Sequence, residues 1–195
     1  MATGADDRSR CHWCTDSPEL LHYHDREWGF PVCDDVPLFE KLSLELFQSG
    51  LSWRTILAKR ENFRSAFHQF DFNAIAHFSQ HDVERLLGDQ GIVRHRGKIE
   101  AVLHNALQAQ DIVCQEGSLS AFVWRYEPHM GWEGKMPPEA LSLAHDLKKR
   151  GWKFVGPTTV YAFMQAAGLV NDHEEDCRIR DRVESARKSF KRTRC

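Results

Sequence analysis

Cysteine and histidine recur at two distant places in the chain, at spacings that suit metal ligation. Cys11 and His24 form a Cys-x12-His pair near the start, and His173 and Cys177 form a His-x3-Cys pair near the end. Two thiolates and two imidazoles make a closed tetrahedral shell of the kind structural zinc prefers. Such a shell has no open position, which argues against catalytic zinc. A metal there would tie the N-terminal segment to the C-terminal region and offset the chain entropy of two loose ends. Cys14, in Cys-x2-Cys register with Cys11, is a rival ligand, as are His12 and His22. Buried thiols and surface histidines are the plainer alternative.

A carboxylate forms the second constellation. Leu38, Leu42 and Leu46 make an apolar stripe on a helix expected over Asp35–Ser49. Glu45 lies seven residues after Leu38, about 20° away around the axis, so it sits on or beside that stripe. A carboxylate there must be paired or have a task, because unpaired burial is costly. Tyr23, Trp28 and Trp53 are close in sequence. Aromatic faces around one carboxylate suit a flat, electron-poor or cationic ring. The competing reading is a structural Glu paired with an arginine, among aromatics that are plain core.

Two further stretches could hold phosphates. Gly91 to Ile99 places Arg94, His95, Arg96 and Lys98 on a glycine-bounded loop before a helix, although it also reads as a solvated turn. From Arg150 to Cys177 the pattern is helix, Gly-bounded hairpin, helix: Gly151 follows one helix, and Gly156-Pro157-Thr158-Thr159 opens the next, which stops at Gly168. The first N–H groups of that second helix would face a phosphate. An ordinary helical hairpin has the same outline.

The elements that must position these residues read as helical nearly throughout. A helix starts near Asp34-Asp35-Val36-Pro37 and ends at Gly50. Ser52 caps the next, through Lys59, and Asn62–Phe70 and Asn73–Phe78 are shorter. Ser79 caps a helix over Asp82–Leu87, stopped by Gly88. Gly97–Gln115 has apolar residues at helical period, Ser118–Tyr126 is short, and Pro138–Arg150 completes the set. Residues 11–33 look irregular or short-helical. Glu127–Pro138 reads as a surface loop. β-Branched alternation is almost absent, so the expected class is all-α with no sheet.

The chain has 195 residues and a formal net charge of −2, enough for one domain with its own core and too balanced to point to nucleic acid or membrane. Charge is uneven, however. From Arg178 to Arg194 eight Lys/Arg face only Asp181 and Glu184, which is read as a solvated, partly frayed basic end. Met1–Arg10 lacks the apolar run of a targeting segment, and no stretch approaches a membrane span. A cytoplasmic location follows as the expectation, with all six cysteines reduced. The expected organisation is a flexible segment over 1–9, one helical domain over 10–177 with metal-tied termini, and a basic tail over 178–195.

Taken together, the motifs resemble the 3-methyladenine DNA glycosylase I family of the helix–hairpin–helix DNA glycosylase superfamily. The likeness runs from about Arg10 to Cys177. It rests on Arg10-Cys11-x-Trp13, Tyr23-His24-Asp25-x-Glu27-Trp28-Gly29, Leu44-Glu45, Gly50-Leu51-Ser52-Trp53, Lys59-Arg60-Glu61-Asn62, Gly91-Ile92-x-Arg94-His95-Arg96-Gly97-Lys98-Ile99, Leu147-Lys148-Lys149-Arg150-Gly151, and Phe154-Val155-Gly156 through Asn171-Asp172-His173. Ala144-His145-Asp146 departs from the family pattern.

The resemblance implies one structural zinc on Cys11, His24, His173 and Cys177, which leaves Cys14 outside the set. It implies that Glu45 hydrogen-bonds a damaged base between Tyr23, Trp28 and Trp53, and that Lys153 to Gly156 belong to a DNA-binding hairpin. The implied activity is monofunctional hydrolytic excision of 3-methyladenine from alkylated double-stranded DNA, by a monomer, after the base is flipped from the stack. Leu51 is expected to help fill the gap, and Arg94, Arg96 and Lys98 are expected near the backbone. A zinc-stapled damage sensor without catalysis and a zinc hydrolase of small molecules are the rival classes.

Overall fold

The structure, a computed structural model, describes residues 2–3, 9–128 and 135–191. Helix is the dominant element of these residues, with almost no strand. Short β1 (Ala2–Thr3) and β2 (Ser9–Arg10) pair antiparallel, so the expectation of no sheet is corrected by one two-stranded ribbon. Eleven helices follow: α1 (Pro18–Arg26), α2 (Asp35–Gln48), α3 (Trp53–Ala58), α4 (Arg60–Ala66), α5 (Phe72–Ile75), α6 (Gln80–Gly88), α7 (Arg96–Glu116), α8 (Leu119–Trp124), α9 (Pro138–Lys149), α10 (Pro157–Ala166) and α11 (Arg180–Ser189). The loop expected over Glu127–Pro138 falls partly outside the described residues, as do parts of the two expected terminal segments.

Local chemistry sets most boundaries. Ser17, Ser52 and Ser118 cap α1, α3 and α8 by accepting from the backbone three residues on, and Ser79 with Asp82 forms a reciprocal capping box on α6. Pro157 occupies the first turn of α10, where it has no N–H to lose.

α2 is the central element. It packs against α10, α7, α3 and α8, and every residue from Leu38 to Phe47 except Glu40 is buried. A helix enclosed on all sides has no solvent face for its polar residues, so Lys41 and Glu45 are buried with the leucines. Around α2 lies the main core, with Phe47, Phe63, Phe67 and Phe70 in ring-to-ring contact. A second, smaller core joins Cys11, Cys177, Ile179 and Val183, with Trp28 and Phe30 against it. The stretch read as a frayed basic end therefore carries α11, and its Val183 is fully buried. Gly168 closes this side: at φ +80° it lets the backbone of Phe30 and Pro31 approach so closely that a Cβ would lie 2.5 Å from them.

Candidate base pocket and metal cluster

Tyr23 from α1, Trp28 from the turn after it, Glu45 and Gln48 from α2, and Trp53 from α3 converge on one cavity of about 350 Å³. Trp13, Ala162, Gln165, Asp172 and Glu174 complete its wall, together with Cys11. The rings touch one another: Tyr23 and Trp53 are 5.2 Å apart between centroids, and Trp13 meets Trp28 edge-on at 5.0 Å. Such a space accepts a planar ring and rewards stacking.

Glu45 is 6% exposed, and among the described residues its carboxylate has no hydrogen-bond or ion-pair partner. Burial pushes this carboxyl up to about 7, against a smaller pull downward from the Lys41 ammonium. The Lys41 charge is used elsewhere: its Nζ donates to Glu27 at 2.7 Å, and Arg60 donates to the other Glu27 oxygen at 2.6 Å. The indole N–H of Trp53 is also buried without a partner among the described residues. An acceptor and a donor thus stand ready in an aromatic cavity, each costly to leave unmet.

Behind the pocket, ligand atoms of Cys11, His24 and Cys177 lie within 4.8 Å of one another, all buried. His173 is 1% exposed and packs its ring 4.8 Å from that of His24. Its Nε2 is buried with no hydrogen-bond partner among the described residues, while its Nδ1 faces Asn171 at 3.1 Å. Burial, then the neighbouring His24, holds its imidazole down to about 4, so it is neutral at physiological pH. Burial also lowers His24, whose Nδ1 lies 2.8 Å from Asp25. Ring nitrogens fixed through their other nitrogen, neutral imidazoles and an orphaned Nε2 all fit a metal ligand set. Burial pushes the Cys11 thiol up as well, a cost that metal ligation would remove.

Cys14 stays outside the cluster, because its Sγ donates to the Cys11 carbonyl at 3.0 Å. The expectation that every cysteine is reduced does not hold at Cys33, which is disulfide-bonded.

The expected DNA-facing residues divide. Leu51 is 39% exposed on the turn between α2 and α3, flanked in the chain by the pocket residues Gln48 and Trp53. Arg94 and Lys153 are exposed. Arg96 is exposed and paired with Glu84 at 2.9 Å. Gly156 caps α10. Lys98 is the correction: it is buried, and its Nζ donates to the carbonyls of Phe47 at 2.9 Å and Ser49 at 2.5 Å. α7 passes the C-terminus of α2, where free carbonyls attract a cation, so the Lys98 ammonium is committed to bracing the Leu51 turn.

The hairpin from Gly151 to Gly156 is braced by Asn105. Its side chain accepts from the Lys153 N–H at 2.8 Å and donates to the Lys153 carbonyl at 3.0 Å. Phe154, at the tip, has φ +58° and is 44% exposed. Sequence reasoning gave no role to Trp13, Gln48, Gln165, Asp172 or Glu174. Trp13, Gln165 and Asp172 lay within its motifs, but only the fold brings them to one wall with Gln48 and Glu174.

A model of the methyladenine glycosylase family matches residues 13–181. The chain is 46% identical to DNA-3-methyladenine glycosylase 1 of Escherichia coli (strain K12), over 86% of this chain and 95% of that one. It is similar to a crystal structure of 3-methyladenine DNA glycosylase I at TM-score 0.81 and 47% identity, covering 87% and 98% of the two chains. It also resembles 3-methyladenine DNA glycosylase I of Staphylococcus aureus, in a structure concerned with the basis of 3-methyladenine recognition. There the TM-score is 0.82 and the identity 37%, covering 87% and 95%.

Proposed function

The chain belongs to the methyladenine glycosylase family, and from that premise we propose that it removes 3-methyladenine from alkylated double-stranded DNA by hydrolysis, as a monomer. The observation that carries this reading is the buried, unpartnered Glu45 carboxylate inside an aromatic-lined cavity. Methylation at N3 leaves adenine cationic within DNA. A carboxylate that accepts from the base and a Tyr23–Trp28–Trp53 wall that stacks on it favour that cation over neutral adenine.

The base must leave the duplex to enter such a cavity. Exposed Leu51 enters the gap, while Arg94, Arg96, Lys153 and the Gly156 end of α10 hold backbone phosphates. Water adds at C1′ as the C1′–N9 bond breaks, and the proton it loses passes to solvent. The bonding pair leaves with the base, which departs neutral because it carried the positive charge. Glu45 therefore recognises the base, and no side chain needs to protonate the leaving group.

Cys11, His24, His173 and Cys177 would hold one zinc ion. Its contribution would be structural, fixing Cys11 and the Trp28 turn that bound the pocket.

Free-base release tests the reading. Methylated duplex DNA is incubated with the protein and the released bases are separated by chromatography, with Glu45→Gln in parallel. Release of 3-methyladenine, reduced about ten- to a hundredfold by the substitution, is expected from the loss of one charged hydrogen bond. Tight binding to the same DNA without release would point to a damage sensor instead.

A further inference from the structure

Lys41 and Glu45 are four residues apart on α2, so their side chains share one face of an enclosed helix. Both are buried, and the lysine has a flexible four-carbon stem. An ion pair between them is the obvious outcome in a low-dielectric interior. It does not form. The Lys41 Nζ is drawn to Glu27 at 2.7 Å and lies 5.7 Å from the centroid of the Tyr23 ring. Glu27 caps the C-terminus of α1, and its second oxygen takes Arg60, the first residue of α4, at 2.6 Å. Three helices thus meet on one carboxylate whose evident effect is to compensate a lysine.

We propose that Glu27 is a positioning residue that holds the Lys41 ammonium away from Glu45, and so keeps the pocket carboxylate open for a cationic base. Without that restraint Lys41 becomes an internal competitor. A lysine ammonium and an N3-methylated adenine ask the same carboxylate for the same charge compensation. An ammonium paired with Glu45 would neutralise much of the negative charge on which recognition of a cationic base depends. The arrangement deepens the proposed function and, as far as the cationic base is concerned, rests on it.

The test uses Glu27→Gln, Lys41→Met and the double variant beside the wild-type protein, all checked for folding by circular dichroism. The first readout is the titration of the Glu45 carboxyl by carbon-13 NMR, which needs no substrate. Besides Lys41, the ionisable groups around the pocket are the Cys11 thiol, Tyr23 from α1, and Asp172 and Glu174 from the segment after α10, and none of the variants alters them. Glu27→Gln is expected to lower the Glu45 midpoint by at least about one pH unit as Lys41 turns to it. Adding Lys41→Met should return the midpoint to the wild-type value or above.

The second readout is kcat/KM for release of 3-methyladenine from methylated duplex DNA. A fall of about tenfold is expected in Glu27→Gln, corresponding to the one-unit shift, with recovery in the double variant. An unchanged midpoint in Glu27→Gln, or an equal fall in the single and double variants, overturns the proposal. The latter result would make Glu27 only a bracket between helices. If the midpoints follow the expected pattern but the wild-type protein releases no base, the restraint on Lys41 stands and the proposed function fails.

Discussion

Glu45 is the residue on which both chemistry and stability turn. Its carboxyl sits near 7 in the folded protein because burial disfavours the charge, whereas an exposed glutamate ionises near 4.5. Below about pH 4.5 both states hold the proton and the residue costs nothing. As pH rises to about 7 the unfolded chain releases its proton first, so the folded state binds more protons and stability falls. Above about 7 the penalty is constant. Glu45→Gln should therefore raise the thermal midpoint at pH 8, by up to about 3 kcal/mol of unfolding free energy, and leave it nearly unchanged at pH 4. Thermal scans across that range check the prediction. A variant that loses excision while gaining stability would mark the carboxylate as retained for function.

At the scale of elements, two turns carry the expected contacts with DNA, and each is held by a buried side chain from α7. Lys98 secures the turn after α2, and Asn105 secures the hairpin before α10. Asn105→Ala leaves the Lys153 N–H and C=O without their partners and should cost about 1–3 kcal/mol in denaturant unfolding. Phosphate contact has a different signature. Replacing Arg94 or Lys153 by Ala should reduce the slope of log affinity against log salt by about 0.9 each. Lys98→Met should leave that slope unchanged and lower the stability of the turn. A Lys98→Met slope as shallow as that of Arg94→Ala would mean that the lysine leaves its carbonyls when DNA binds.

On the scale of the whole molecule, Cys11 and Cys177 belong to the small core, and His24 lies within ligand reach of both and packs against the ring of His173. These residues come from opposite ends of the domain, so a metal among them closes most of the chain into one loop. Cys177→Ser should release zinc, read by metal analysis, and lower the thermal midpoint by several degrees or more. Chelation should have the same effect, reversed by added zinc. The pocket should be the first region to loosen, because Cys11 and Trp28 belong to both the small core and the cavity wall. A chelated protein with unchanged melting and unchanged base release would remove the metal from the account.

Much of this was legible in the chain. Helical period alone places Glu45 on an apolar stripe, because α2 repeats leucine at Leu38, Leu42 and Leu46. Serine caps, Gly151 and Gly156-Pro157 fixed the ends of most helices, since capping is chemistry between near neighbours. The Cys/His spacing singled out the residues that cluster behind the pocket. Only the tertiary structure decided which way the long side chains point. Lys98 reads as one more cation on a basic loop, yet the passage of α7 beside the end of α2 turns it inward to carbonyls. Nothing in the chain singles out Lys41, yet on α2 it is buried and its charge finds Glu27. The ribbon between Ala2–Thr3 and Ser9–Arg10 and the burial of Val183 in α11 were likewise invisible. Periodicity and capping act over a few residues and are written locally. The destination of a buried charge depends on which partner, distant in sequence, the packing of the helices brings within about 3 Å.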